Sequence, residues 1–373
     1  MVFVLVLKYL HVRNKRRRVM GLQQRESGIE LLRIVALLFV IMIHYCDKAL
    51  PLINNNVNMN VMLLTRSISS CAVDVFILIS GYFMVKSNTR VVGKPINILT
   101  QVIYRNLLIY GLLLLLGLKA FELKYFAFRL VPASYYPILF VVLYLISPYI
   151  NRLLTSLSSK ALRTFIAVVF ILFSVCPTLV DMSQELFDYQ WFGLSTIGAW
   201  GNQQGFNIVN FVLLYCLGAW LRLDEISFPT QRKSLIWIIV VIILILAWSI
   251  VCTYLSKQGM SSSWVYHNPF VIIYSVLLFL LFKGFHFTNT FINYLAKSVL
   301  LCFLIHSGII ANIDIGISRV CNRCAIIMLS HYFAFSLVMI VVSCIAYEFY
   351  SVITKMLFCK FNNKEIPYNF EKK

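Results

Sequence analysis

The run Glu30-Leu31-Leu32-Arg33-Ile34-Val35-Ala36-Leu37-Leu38-Phe39-Val40-Ile41-Met42-Ile43-His44 is apolar except at Glu30, Arg33 and His44. Eleven helical steps carry the chain from Arg33 to His44, a climb of about 16 Å that returns to within about 20° of the same face. Both polar side chains therefore look into one groove. An ionisable group inside lipid is costly, and its default meaning is functional.

The rest of the chain places this run in a membrane. Of 373 residues, 60% are hydrophobic and only 13% charged, with a mean hydropathy of +0.83. That composition excludes an ordinary soluble protein, and the apolar runs repeatedly reach the length that crosses a bilayer. The predicted fold is an all-α, polytopic helical bundle of about ten spans: 29 to 48, 61 to 85, 97 to 118, 134 to 153, 163 to 180, 206 to 222, 235 to 255, 268 to 285, 297 to 317 and 326 to 352. With no repeat and no separate soluble unit, the expected organisation is a basic arm (1–24), one membrane-embedded domain (25–353) and a basic tail (354–373).

Orientation follows from Lys and Arg, because basic loops stay in the cytoplasm. With the N-terminus inside, 23 of the 33 basic residues fall in cytoplasmic segments, 7 in outer ones, and Arg33, Arg66 and Arg105 remain in or near spans. Both termini are then cytoplasmic. The net charge of +19 is distributed as topology distributes it, which argues against a nucleic-acid partner. The N-terminal order, an apolar Met1–Leu7 followed by Lys15-Arg16-Arg17-Arg18, is the reverse of a signal peptide. Met20 is an alternative start. Most of the ten cysteines lie in spans, where a small polarisable side chain packs well. Cys321 and Cys324 fall in an outer loop, as a disulfide or as two free thiols; no second ligand pair supports zinc.

Four blocks occur in an order that resembles acyltransferase family 3, the bacterial membrane-bound acyltransferases. They are Arg25-Glu26-Ser27-Gly28-Ile29-Glu30-Leu31-Leu32-Arg33 through His44, Asp74-Val75-Phe76-Ile77-Leu78-Ile79-Ser80-Gly81-Tyr82, Tyr215-Cys216-Leu217-Gly218-Ala219-Trp220-Leu221-Arg222, and Phe303-Leu304-Ile305-His306. Together they cover roughly residues 25 to 350. Phe303 departs from the tyrosine usual in the last block and removes a hydroxyl. The resemblance implies acyl transfer from a cytoplasmic acyl-coenzyme A to a surface glycan, lipid-linked sugar or similar acceptor, with no permanently bound cofactor and no metal, in a bacterial cytoplasmic membrane.

The residues suit that chemistry. A sugar hydroxyl needs a base to attack a thioester, and His44 has the right ordinary pKa; the alternative is a hydrogen bond within the bundle. Arg33 either binds coenzyme phosphate through its fork of donors or pairs with Glu30, three residues earlier. Ser80 and Gly81 offer close backbone approach for the coenzyme, or simple helix packing, and Lys86, Arg90 and Lys94 follow as a basic loop. Arg105, placed at the cytoplasmic start of the third span, is a further phosphate candidate. Asp74 and Arg66 share a helical face and are expected to be neutralised by other helices, while His306 is expected to be a supporting hydrogen-bonding group. The loop from Asp181 to Gly205 holds Asp181, Glu185, Asp188, Tyr189, Trp191, Phe192 and Trp200 without one Lys or Arg. Tyr189, Trp191 and Trp200 are its candidate sugar platform, or an interfacial aromatic belt. His267, in another outer loop, is expected to face water.

The sequence thus predicts a membrane O-acetyltransferase using acetyl-coenzyme A on a cell-surface or lipid-linked glycan. A transporter or flippase for such a glycan would also need many spans, but no inverted repeat is visible. A glycan polymerase would lengthen the glycan rather than acylate it.

Overall fold

The computed structural model describes residues 26–224, 230–255, 262–358, 365, 366 and 368. The expected basic arm and much of the tail lie outside these residues. Every regular element described is a helix, and the only β feature among the described residues is an isolated antiparallel bridge between Val91 and Glu365. In chain order the helices are α1 (Ser27–Ala49), α2 (Asn56–Ser69), α3 (Ala72–Met84), α4 (Gly93–Leu115), α5 (Leu123–Arg129), α6 (Tyr135–Ser156), α7 (Ser159–Phe170), α8 (Cys176–Phe187), α9 (Ile208–Leu223), α10 (Gln231–Leu255), α11 (Pro269–Lys283), α12 (Thr290–Leu295), α13 (Val299–Asn312), α14 (Ile317–Val320) and α15 (Ala325–Phe358).

Eight helical stretches among the described residues are long and apolar enough to cross a membrane. The expected sixth and ninth spans are the shorter apolar helices α9 and α13. Their 16 and 14 residues rise only about 24 and 21 Å, less than the roughly 30 Å of a hydrocarbon core. Both are buried along much of their length, so protein rather than lipid surrounds them. Helices α10 and α15 instead turn residues such as Trp237, Ile243, Phe333 and Leu337 outward, the apolar surface that lipid covers.

Local breaks in the helices follow from sequence. The expected continuous second span is divided between α2 and α3 at Ser70 and Cys71, where the Ser70 N–H and hydroxyl both donate to the Ser67 carbonyl. Pro148, inside α6, has no N–H to give the Tyr144 carbonyl; the Ser147 hydroxyl donates to it instead at 2.7 Å. Between α7 and α8, residues Ile171–Val175 form a π-helical turn just before Pro177. Its loosened Leu172 carbonyl accepts a bond from Thr196 Oγ1 at 2.6 Å, as a π-bulge allows.

The tightest packing is between α3 and α9. A Cβ built on Gly81 would overlap the Tyr215 carbonyl, and one on Gly218 would overlap the Leu78 carbonyl. Two glycines, one per helix, let the backbones touch. Of the two sequence readings of Gly81, coenzyme approach and helix packing, the second is the one found, since its open side is filled by α9.

Candidate active site

Helix α1 brings Arg33 and His44 to two levels of one interior. Arg33 Nη1 donates to Glu30 Oε1 at 2.8 Å, and its side chain also borders a cavity of about 530 Å³. The two readings of Arg33 are therefore compatible: one nitrogen pairs with Glu30 while the guanidinium faces open space. Lys94 and Lys297 line the same cavity, as do Ser80, Asn97 and Gln101. Lys94 Nζ lies 4.9 Å from the centre of the Tyr144 ring and 5.5 Å from that of Phe140, held over their negative faces. The cavity is thus lined by cations and aromatic rings together.

Phe76, Tyr136 and Phe303 are among its aromatic lining residues. His44 does not border the cavity. Its ring centre lies 5.1 Å from that of His306, with the planes tilted by 51°, and Phe303 is 6.0 Å from His306. His306 is fully buried. Its Nδ1 lies 3.0 Å from the Cys302 carbonyl, and a carbonyl can only accept, so Nδ1 carries the proton. In the neutral ring Nε2 is then an acceptor, and it has no partner among the described residues. His44 is half-buried, and no hydrogen bond to its ring occurs among the described residues.

Other expected donor-site residues are placed elsewhere. Arg90 is buried and does not line the cavity; its Nε and Nη2 donate to Ser147 Oγ at 2.9 and 2.7 Å, and Nη1 to the Ser87 and Thr89 carbonyls. It secures the loop after α3 to the proline-broken turn of α6. Asn151 helps, donating to the Met84 and Ser87 carbonyls and accepting from the Tyr215 hydroxyl. Lys86 is exposed on that loop. Ser80 lines the cavity while its hydroxyl donates to the Phe76 carbonyl. Arg105 is not at the start of its helix, because α4 begins at Gly93; twelve steps place it about 18 Å further in, close enough for its charge to act on His306.

Arg66 turns from Asp74 toward other partners. Its Nε lies 3.4 Å from Asp47 Oδ1, and its guanidinium stacks 5.1 Å from the Trp264 ring centre. Asp74 is fully buried, with neither carboxyl oxygen hydrogen-bonded among the described residues. The expected pairing of Asp74 with a neighbouring helix is therefore not found there.

On the opposite side, two of the three carboxylates of the 181–205 segment, Asp181 and Glu185, point inward, and Asp188 is exposed. Asp181 Oδ2 is 2.8 Å from His267 Nε2, and Oδ1 accepts from Asn202 Nδ2 at 2.8 Å. His267 is fully buried, which corrects its expected exposure to water: the polar loop folds under the π-turn, where Ser174 Oγ donates to the His267 carbonyl. Glu185 accepts from the Ser262 N–H and hydroxyl. The largest side chains that remain outward are aromatic. Tyr189 pairs edge-on with Trp191, and Phe192 with Trp200, at 4.8 and 4.7 Å between ring centres, and Trp200 is 87% exposed. Cys321 and Cys324 are free thiols, one buried and one exposed.

Lys297, Tyr136 and Phe76 were not singled out by sequence. Lys297 reads as one more loop cation, and Tyr136 is one of 20 tyrosines; only Phe76, inside the second block, carried a local signal. A family model described as "Acyltransferase domain" matches residues 26–348. No curated protein and no solved structure gives a significant match.

Proposed function

Since the chain belongs to the acyltransferase domain family, acyltransferase family 3, and is a membrane acyltransferase, we propose that it moves acetyl from acetyl-coenzyme A to a hydroxyl of a cell-surface or lipid-linked glycan. The observation that carries this reading is one neighbourhood: a cavity lined by three cations and by Phe76, Tyr136 and Phe303, with Phe303 against His306 and His306 beside His44. A multiply charged coenzyme suits the cations, and a proton transfer suits His44.

In this mechanism Arg33, Lys94 and Lys297 hold the donor phosphates by charge and by the guanidinium fork. The cavity is large enough for an extended thioester arm, whose acyl carbon approaches His44. His44 takes the proton of the acceptor hydroxyl as its oxygen attacks the thioester carbon. The carbon–sulfur bond breaks, and the coenzyme leaves as the thiolate, which takes the proton back from the His44 imidazolium and restores the neutral base. His306 Nε2 supplies a buried acceptor next to the imidazolium that forms.

The acceptor approaches from the opposite side, where Tyr189, Trp191 and Trp200 give exposed aromatic faces and no Lys or Arg competes between Asp181 and Gly205. The positive-inside distribution of basic residues supports cytoplasmic termini and a bacterial cytoplasmic membrane. Mass spectrometry of surface glycans from cells carrying the wild-type protein, His44→Ala or no protein tests the reading. Acetyl groups present only with the wild type are expected; identical glycans in all three would refute it.

A further inference from the structure

Three of the rings that line the cavity are in mutual contact. Ring centres are 4.8 Å apart for Tyr136 and Phe303, 6.4 Å for Phe76 and Tyr136, and 6.5 Å for Phe76 and Phe303. The two longer contacts are edge-to-face, at 68° and 79°, the arrangement that aromatic pairs prefer. Such a triangle leaves no opening between its members. The three rings come from three helices, α3, α6 and α13, so none is held by the others' backbone. Phe303 belongs to two of the contacts and also faces His306, one helical turn further along α13.

This geometry imposes a condition on any acyl donor. The cavity cations fix where the phosphates sit, and neither His44 nor His306 borders the cavity, whereas Phe303, which does, lies against His306. The acyl group must therefore pass the rings or displace one, and His306, fully buried, leaves little space behind them. A wall of aromatic carbon opposes a charged acyl group, since a carboxylate passing it would lose water without gaining a partner. It opposes a long chain by volume, because a packed interior cannot take added methylenes without strain.

We propose that Phe76, Tyr136 and Phe303 form a selectivity filter that admits short, uncharged acyl groups to His44 and keeps water from the thioester, with Phe303 as its decisive member. The proposal rests on the donor reading given above, and it names the residues that hold that donor's acyl group to a short, uncharged class. Acetyl passes best; butyryl, succinyl and medium-chain acyl groups do not. Between substrates that differ by one methylene, a snug apolar pocket discriminates by roughly tenfold or more, so the selectivity falls steeply with length.

Two measurements on the purified full-length protein test it. The first is release of free coenzyme A, with water as the acceptor, from acetyl-, butyryl-, octanoyl- and succinyl-coenzyme A. The wild type should use acetyl slowly and the others at least about tenfold less; Phe303→Ala should raise both the butyryl-to-acetyl ratio and total hydrolysis by about tenfold, and Phe303→Tyr should keep the wild-type profile. The second is ethoxyformylation of His306 by diethyl pyrocarbonate, a small neutral acylating probe, read by peptide mass spectrometry. It should be slow in the wild type and in Phe303→Tyr, and fast in Phe303→Ala. Should Phe303→Ala fail to fold, Phe303→Leu and Phe76→Leu open the same triangle by a smaller change. Rapid His306 modification in the opened variants without use of any acyl-coenzyme A would keep the filter and refute the donor reading. Donor use with one unchanged length profile in wild type and opened variants would refute the filter alone, as would a His306 equally reactive in all of them.

Discussion

The imidazole rings of His44 and His306 face each other at 5.1 Å, one from the first helix and one from the thirteenth, and only His306 has a carbonyl partner. The Cys302 carbonyl fixes the His306 tautomer, which leaves His44 as the ring with nitrogen atoms open to a substrate. Replacement of His44 by Ala is expected to lower acyl transfer by roughly 10²–10⁴, the range for removal of a general base, with folded yield near wild type. His306→Gln, which can still accept a bond, should keep more of kcat than His306→Leu, with donor KM alike in both; equal kcat would show that His306 only fills space.

Neutralising the cavity cations should act on donor binding. Lys94→Gln and Lys297→Gln are each expected to raise the KM for acetyl-coenzyme A about fivefold, near the upper end of what a partly exposed charge contributes, with kcat little changed. Raising the salt should weaken the wild type more than the double variant, because screening then has less left to remove. Steady-state kinetics at low and high ionic strength checks both.

Arg90 should behave differently although it stands only four residues before Lys94. Its guanidinium serves Ser147 and two loop carbonyls, so Arg90→Ala removes buried, charge-assisted bonds at a cost on the order of 2 kcal/mol. The expected result is a lower unfolding temperature in detergent and a similar fall for Ser147→Ala, which also leaves the Tyr144 carbonyl without its donor. A change in donor KM without loss of stability would contradict this assignment.

Gly81→Ala and Gly218→Ala should each destabilise the protein by roughly 1–3 kcal/mol, the cost of forcing one extra carbon into a filled contact. The effects should be strongly non-additive, since either methyl alone separates α3 from α9. Thermal unfolding of the single and double variants in the same detergent measures this.

Much of this arrangement is legible in the sequence, and what is not has a physical cause. The i, i+3 spacing anticipates the Glu30–Arg33 pair, because that depends on a single helix, whereas the expected common groove is not found: Arg33 borders the cavity and His44 does not. Burial of His267 is invisible to the same reading: Val265, Tyr266 and Asn268 look like a loop, and only contact with the π-turn encloses them. Arg105 was placed at a mouth that it does not border, since a hydrophobic window marks where a run of apolar residues lies but not where its helix begins. The aromatic triangle depends on three helices meeting, and no periodicity within one of them reports that.

The cavity wall draws on the first helix through Arg33 and on the last through Tyr347. Beyond that helix, Ile366 donates its N–H to the Arg90 carbonyl at 2.7 Å, and the Tyr368 hydroxyl donates to that of Leu145. The loop after α3 is thereby pinned by residues that follow the last of these helices. During synthesis the first helix must wait for the last before this cavity wall is complete, so a nascent chain with most of its helices already in the bilayer still lacks the assembled cavity.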